Sequence, residues 1–161
     1  MASFDPAVAK TLIREGGARF TDNPDDRGGA TKYGISQRAY PNLDIANLTE
    51  DQAKAIYKRD YWDKVCGDQL KSQAVAENVF DTAVNMGPVT ATKLAQMTLG
   101  IGVDGKFGAD TLKAANAADA NEFLAEYTLA KIARYAAICN KDRSQSRFLL
   151  GWINRSLGGA A

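Results

Sequence analysis

Apolar positions recur at intervals of three and four along most of this chain, and that spacing predicts a succession of helices. The first covers FDPAVAKTLIRE, with Asp5 as N-cap, Pro6 at the first helical position, and Val8, Leu12 and Glu15 on one stripe. Gly16 and Gly17 stop it, because glycine readily takes the left-handed conformation common at helix C-termini. QRAYPNLDIAN predicts a short helix ending near Pro41. The helix after it is better marked: Thr49 and Gln52 form a capping box, and Ala53, Ile56, Tyr57 and Tyr61 supply the apolar face.

From Ser72 to Met86 apolar residues cover most of the circumference, as expected of a helix at the centre of a fold. A polar stripe of Asn78, Asp81 and Asn85 remains, serving either internal hydrogen bonds or the wall of a cleft; Asn85 is assigned to the cleft. Gly87 and Pro88 break the chain, and a helix to about Leu99 turns Ala91, Leu94 and Ala95 inward. A glycine-rich loop turning at Asp104-Gly105 follows. Asn121 or Asp119 caps a long helix carrying Phe123, Tyr127 and Tyr135, and after NKDRSQS a last helix carries Phe148, Trp152 as a core anchor, and Leu157. Without internal repeats or a Ser/Pro/Gly-rich linker, segments 1–88 and 89–161 are expected to pack into one compact body.

One stretch departs from this pattern. EGGARFTDNPDDRGGATKYGIS, Glu15 to Ser36, concentrates acids, glycines and hydroxyls. Glu15 falls in the last turn of the first helix on the face turned inward, where desolvation and the negative end of the helix dipole both oppose its charged form. That environment suits a general acid. Asp22, Asp25 and Asp26 lie in a turn-rich run, and Thr31 follows in a short β-like stretch, so the glycines can fold a second carboxylate and a hydroxyl back over the helix end. Two acids and a hydroxyl at one point are the equipment for cleaving a glycosidic bond with water. A calcium loop competes for such acids, but alternate ligands counted from Asp22 put Pro24 where an oxygen donor belongs.

Composition narrows the chemistry further. The 161 residues hold no histidine, which removes Ser-His and Cys-His nucleophiles and histidine-ligated zinc. Neither a metal nor a cofactor is expected. The net charge of +1, with no concentrated basic run, argues against nucleic acid as partner. Cys66 and Cys139 share no metal-ligand spacing and are read as free thiols. No stretch resembles a signal peptide or approaches transmembrane length, so no membrane insertion is expected.

The motifs Glu15-Gly16-Gly17, Asn23 to Gly29 and Thr31 to Ser36, with IYKRDYWD, FDTAVNMGP, VDGKFGADTL and GWINR, together resemble glycoside hydrolase family 108, the N-acetylmuramidases found largely among phage endolysins. The resemblance implies a mainly α, lysozyme-like helical bundle with a small β element near residues 26–37. It also implies a catalytic segment 1–88 and a peptidoglycan-binding-like segment 89–161. Glu15 matches the family's catalytic acid. Asp26 is the expected second carboxylate, with Asp22 and Asp25 as alternatives, and Thr31 positions water. Asp25, Tyr33, Tyr61, Trp62 and Asn85 are the expected sugar-binding residues. Bacterial peptidoglycan is the implied partner of a monomer that works from the host cytoplasm once a holin releases it to the wall. Inversion at the anomeric carbon and activity that falls as pH rises are expected. A lytic transglycosylase, or a peptidoglycan-binding protein without activity, would carry similar residues.

Overall fold

The computed structural model describes residues 1–22 and 29–158. Asp25 and Asp26 therefore lie outside the described residues. Helix α1 spans Phe4–Arg14 and begins earlier than its sequence signal, with Ser3 as N-cap. Tertiary contacts account for the shift. Gln73 accepts from the Ser3 amide at 2.7 Å and donates back to the Ser3 carbonyl at 2.9 Å, while the Phe4 ring sits 5.6 Å from Trp62 and 5.9 Å from Phe80. The glycine stop forms as expected: Gly16 and Gly17 both have positive φ, and the Gly17 amide reaches back to the Leu12 carbonyl at 2.8 Å.

A two-stranded antiparallel hairpin follows, β1 at Thr31–Lys32 and β2 at Ile35–Ser36. Its turn puts both Tyr33 (φ 53°) and Gly34 (φ 73°) in the left-handed region, the geometry that matches the twist of tight hairpins. The Tyr33 amide bonds the Gly17 carbonyl at 3.0 Å, so the hairpin is tied to the end of α1. No helix forms between Gln37 and Leu48, contrary to the spacing. Gln37 explains why: its side-chain amide donates to the carbonyls of Tyr40, Pro41 and Leu43, winding the chain around itself into turns.

Helix α2, Glu50–Tyr57, has the full capping box between Thr49 and Gln52. Thr49→Ala is expected to lower stability by about 1 kcal/mol, read as a shift in denaturation midpoint. A π-helical turn at Lys58–Trp62 and a 3-10 turn at Asp63–Val65 carry the chain to α3, Gln73–Met86, whose Ser72 cap accepts from the Val75 amide. Helix α3 is the axis of the core: Val75, Ala76, Val79, Phe80 and Ala83 are buried, and the Phe80 ring meets Trp62 and Tyr57 edge-on. Such aromatic edges add roughly 0.5–1.5 kcal/mol each to the area they bury.

Helix α4, Pro88–Thr98, starts directly at the Gly87-Pro88 break. The glycine loop beyond it wraps the buried Gln96, which accepts from the Asp104 and Gly105 amides and donates to Asp104 at 2.7 Å. Helix α5, Ala109–Ala117, was not signalled by the apolar pattern, because Ala, Thr and Asn make up most of it. Helix α6, Ala120–Lys141, is capped by Asp119 and crosses both α3 and α4, with the Tyr127 hydroxyl donating to the Ala91 carbonyl at 3.0 Å. Helix α7, Leu149–Ser156, lays Trp152 on the Tyr135 ring at 4.9 Å. One hydrophobic core thus runs from Ala2 to Tyr127. The fold is mainly α with one small sheet, as the sequence implied. Both cysteines are free, and no described helix is long and apolar enough to cross a membrane.

Candidate active site

Glu15 is the C-cap of α1, and its side chain is about one quarter exposed, at 24 %. What it faces differs from expectation. Instead of an apolar wall, the Arg155 guanidinium from α7 stands 3.0 Å from Glu15 Oε1. The same arginine grips Asp81 of α3 with two bonds, Nη2 to Oδ1 at 3.0 Å and Nε to Oδ2 at 3.1 Å. Arg14, one residue before the acid, donates to Asp81 Oδ1 at 2.9 Å from the other side. Burial opposes the Arg155 charge, but hydrogen bonds and charge from Asp81 and then Glu15 outweigh it and raise its pKa.

The hairpin turn closes over the acid. A Cβ built on Gly34 would stand 2.7 Å from Glu15 Cβ and 2.7 Å from the Tyr57 hydroxyl, so only glycine fits this approach. That hydroxyl donates to the Tyr33 carbonyl at 2.8 Å. Burial and then the charge of Glu15 hold it protonated well above the ordinary tyrosine range. Helix end, hairpin turn, Tyr57 and Arg155 therefore meet around one carboxyl group.

The predicted residues divide on inspection. Tyr33 is in the turn beside Glu15, though its ring is buried and 5.7 Å from the Lys32 ammonium. Thr31 pairs with Thr21 through the backbone and donates its hydroxyl to the Gly29 carbonyl at 3.0 Å. Tyr61 is half-buried with its ring 5.7 Å from Tyr57. Trp62 does not line a cleft: it is fully buried, its indole nitrogen donates to Asp68 at 2.8 Å, and its ring packs where a Cβ on Gly67 would collide. Core packing claimed this aromatic, because the π-helical turn points it at Phe4 and Phe80.

The polar stripe of α3 is satisfied from within. Asn78 accepts from Lys131 Nζ at 2.7 Å, Asp81 binds the two arginines, and Asn85 donates to the Tyr135 hydroxyl at 2.6 Å. Lys131 is itself buried, at 4 % exposure, over the Tyr127 ring. Burial lowers its pKa to about 8; Asp81 opposes the shift, and Arg14 and Arg155 add to it. A cavity of about 250 Å³ lies beside this network, lined by Lys10, Arg14, Glu77, Asp81 and Arg155. A separate pocket of about 480 Å³ at Tyr40, Pro41, Leu43 and Ile56 contains none of the residues around Glu15. Among the described residues, no three acidic, cysteine or histidine side chains gather to hold a metal.

A chain of helices around a hairpin-covered glutamate is the architecture of a lysozyme-like hydrolase, and comparison with known families agrees. Residues 8–87 match the Glycosyl hydrolase 108 model, and residues 90–157 match the Predicted Peptidoglycan domain model. Among solved structures the chain is similar to SagA of Brucella abortus, at 30% identity and a TM-score of 0.73, over 96% of this chain and 93% of that one. No curated protein matches it. The chain belongs to glycosyl hydrolase family 108 and carries a peptidoglycan-binding segment. It is a glycoside hydrolase acting on peptidoglycan.

Proposed function

We propose that this enzyme is an N-acetylmuramidase that cuts the β-1,4 bond between N-acetylmuramic acid and N-acetylglucosamine, with Glu15 as general acid. The observation carrying this reading is the convergence of the hairpin turn, Tyr57 and Arg155 on Glu15 in a family 108 chain. Glu15 protonates the bridging oxygen, the bond from the anomeric carbon breaks, and water adds to that carbon. A second carboxylate, Asp26 or its neighbours Asp25 and Asp22, activates the water or supports the positive charge on the sugar, and Thr31 orients the water. Two carboxyls roughly 6.5–9.5 Å apart leave room for that water and give inversion. Of the described residues expected to meet sugar, half-buried Tyr61 remains free to do so, since the Tyr33 ring is buried and Asn85 is bonded to Tyr135.

In this reading the protein is a monomeric endolysin of phage type that reaches the wall from the host cytoplasm after holin release. The test is Glu15→Gln on purified sacculi, with mass spectrometry of the products. Loss of at least about 10³-fold in clearing rate, with binding retained, supports the role of Glu15. Clearing at the parent rate removes it. Hydrated reducing ends identify hydrolysis, whereas anhydro ends would identify a lytic transglycosylase.

A further inference from the structure

The two family models divide the chain at residues 87 to 90, assigning hydrolysis to the front part and binding to the back. The ionic network does not respect that division. Arg155, in the last turns of α7, reaches across to Glu15 at 3.0 Å. Its position is not set by Glu15. Nε and Nη2 form a fork on the two oxygens of Asp81, and only Nη2 is shared with the glutamate. Asp81 is in turn held by Arg14, and all three side chains are mostly shielded, with 32 %, 13 % and 22 % exposure for Arg14, Asp81 and Arg155.

We propose that Arg155 is a positioning residue for acid catalysis by Glu15, so that the peptidoglycan-binding segment completes the hydrolytic site instead of merely tethering it. The inference rests on the reading of Glu15 as general acid. In the resting protein the guanidinium fixes the rotamer of the carboxyl group. When Glu15 gives its proton to the bridging oxygen and the sugar bond breaks, the new carboxylate finds a cation already in contact, which lowers the barrier to the transfer. Asp81 makes this possible in both protonation states, since the fork holds Arg155 in place whether or not Glu15 is charged. Arginine suits the task because it stays charged across the working pH range and its planar fork matches a carboxylate.

Among the described residues, Arg155 of α7 pairs with Glu15 and Tyr57 of α2 feels its charge, while Arg14 of α1 and Lys131 of α6 interact with Asp81 of α3, which holds Arg155. Only Arg155 is in ion-pair contact with it among the described residues. Removing that cation should make each proton transfer slower.

The experiment compares Arg155→Ala, Arg155→Lys and Glu15→Gln in the full chain, reading kcat, KM and thermal stability on soluble glycan fragments. Arg155→Ala is expected to lower kcat by about 10- to 100-fold with KM within about 2-fold. Guanidinium at sub-denaturing concentration should restore part of the lost kcat in this variant and none in Glu15→Gln. Parent-like kcat, or a loss of kcat that guanidinium leaves untouched in a folded variant, overturns the inference. Should Arg155→Ala not fold, Arg155→Lys decides: one ammonium cannot bind Asp81 twice and reach Glu15, so its kcat must fall, and a parent-like kcat overturns the proposal. Should Glu15→Gln itself prove as active as the parent, the general-acid reading fails first, whatever Arg155 does.

Discussion

Gly34→Ala is expected to cut turnover on peptidoglycan by at least about 10²-fold, because displacing a catalytic group by about 1 Å has that cost. Two separate strains act at this position. At φ 73° an alanine pays roughly 1–2 kcal/mol for a left-handed backbone that glycine adopts freely. Its Cβ would also meet Glu15 Cβ and the Tyr57 hydroxyl, both at 2.7 Å, and something must move. Tyr57 is buried and bound to the Tyr33 carbonyl, so the more exposed Glu15 is the group that yields. Denaturant titration should show a loss of about 2–3 kcal/mol alongside the lost turnover. A variant with parent-like turnover would mean that the turn does not hold the acid.

Raising the pH from about 8 to about 10 is expected to stabilise the protein by about 2 kcal/mol, through Lys131. The sign follows from its pKa, which burial lowers from 10.5 to about 8 in the folded chain. Between those values the unfolded chain binds a proton that the folded chain does not, so stability rises with pH across that window and is flat below it. Above about pH 10 the gain is reversed. Burial keeps the Tyr57 and Tyr127 hydroxyls protonated in the folded state, while the unfolded chain ionises them. Urea midpoints measured across this range should therefore pass through a maximum, and Lys131→Met should abolish the rising side. A rising side that survives Lys131→Met would assign it to another group.

Helices with full apolar stripes and caps were legible from spacing alone. Thr49 with Gln52, Ser72, and the Gly87-Pro88 break stand where local chemistry put them. Local signals failed where a distant side chain took over. Gln37 turned a helix-like run into a loop, and Gln73 moved the start of α1. Of the candidate site, the glutamate before the twin glycines and the hairpin that covers it were readable, since both are contiguous in sequence. Arg155 and Lys131 were not, although each left a trace. Tyr127, Lys131 and Tyr135 fall at intervals of four, a cation inside an aromatic stripe, and Arg155 follows Trp152 by three on the inward side of α7. A lone charge on an otherwise apolar helical face announces that a buried partner exists, without saying where. Trp62 shows the converse, an aromatic whose destination depends on a π-helical turn that no periodicity records.

Asp81 is clamped between arginines at positions 14 and 155, far apart in sequence. During synthesis α1 and α3 emerge with one clamp jaw, and the other follows only after α6 and the start of α7 have been translated. Fragments that stop before Arg155 should therefore hydrolyse peptidoglycan poorly, with full activity appearing only once that arginine has been added.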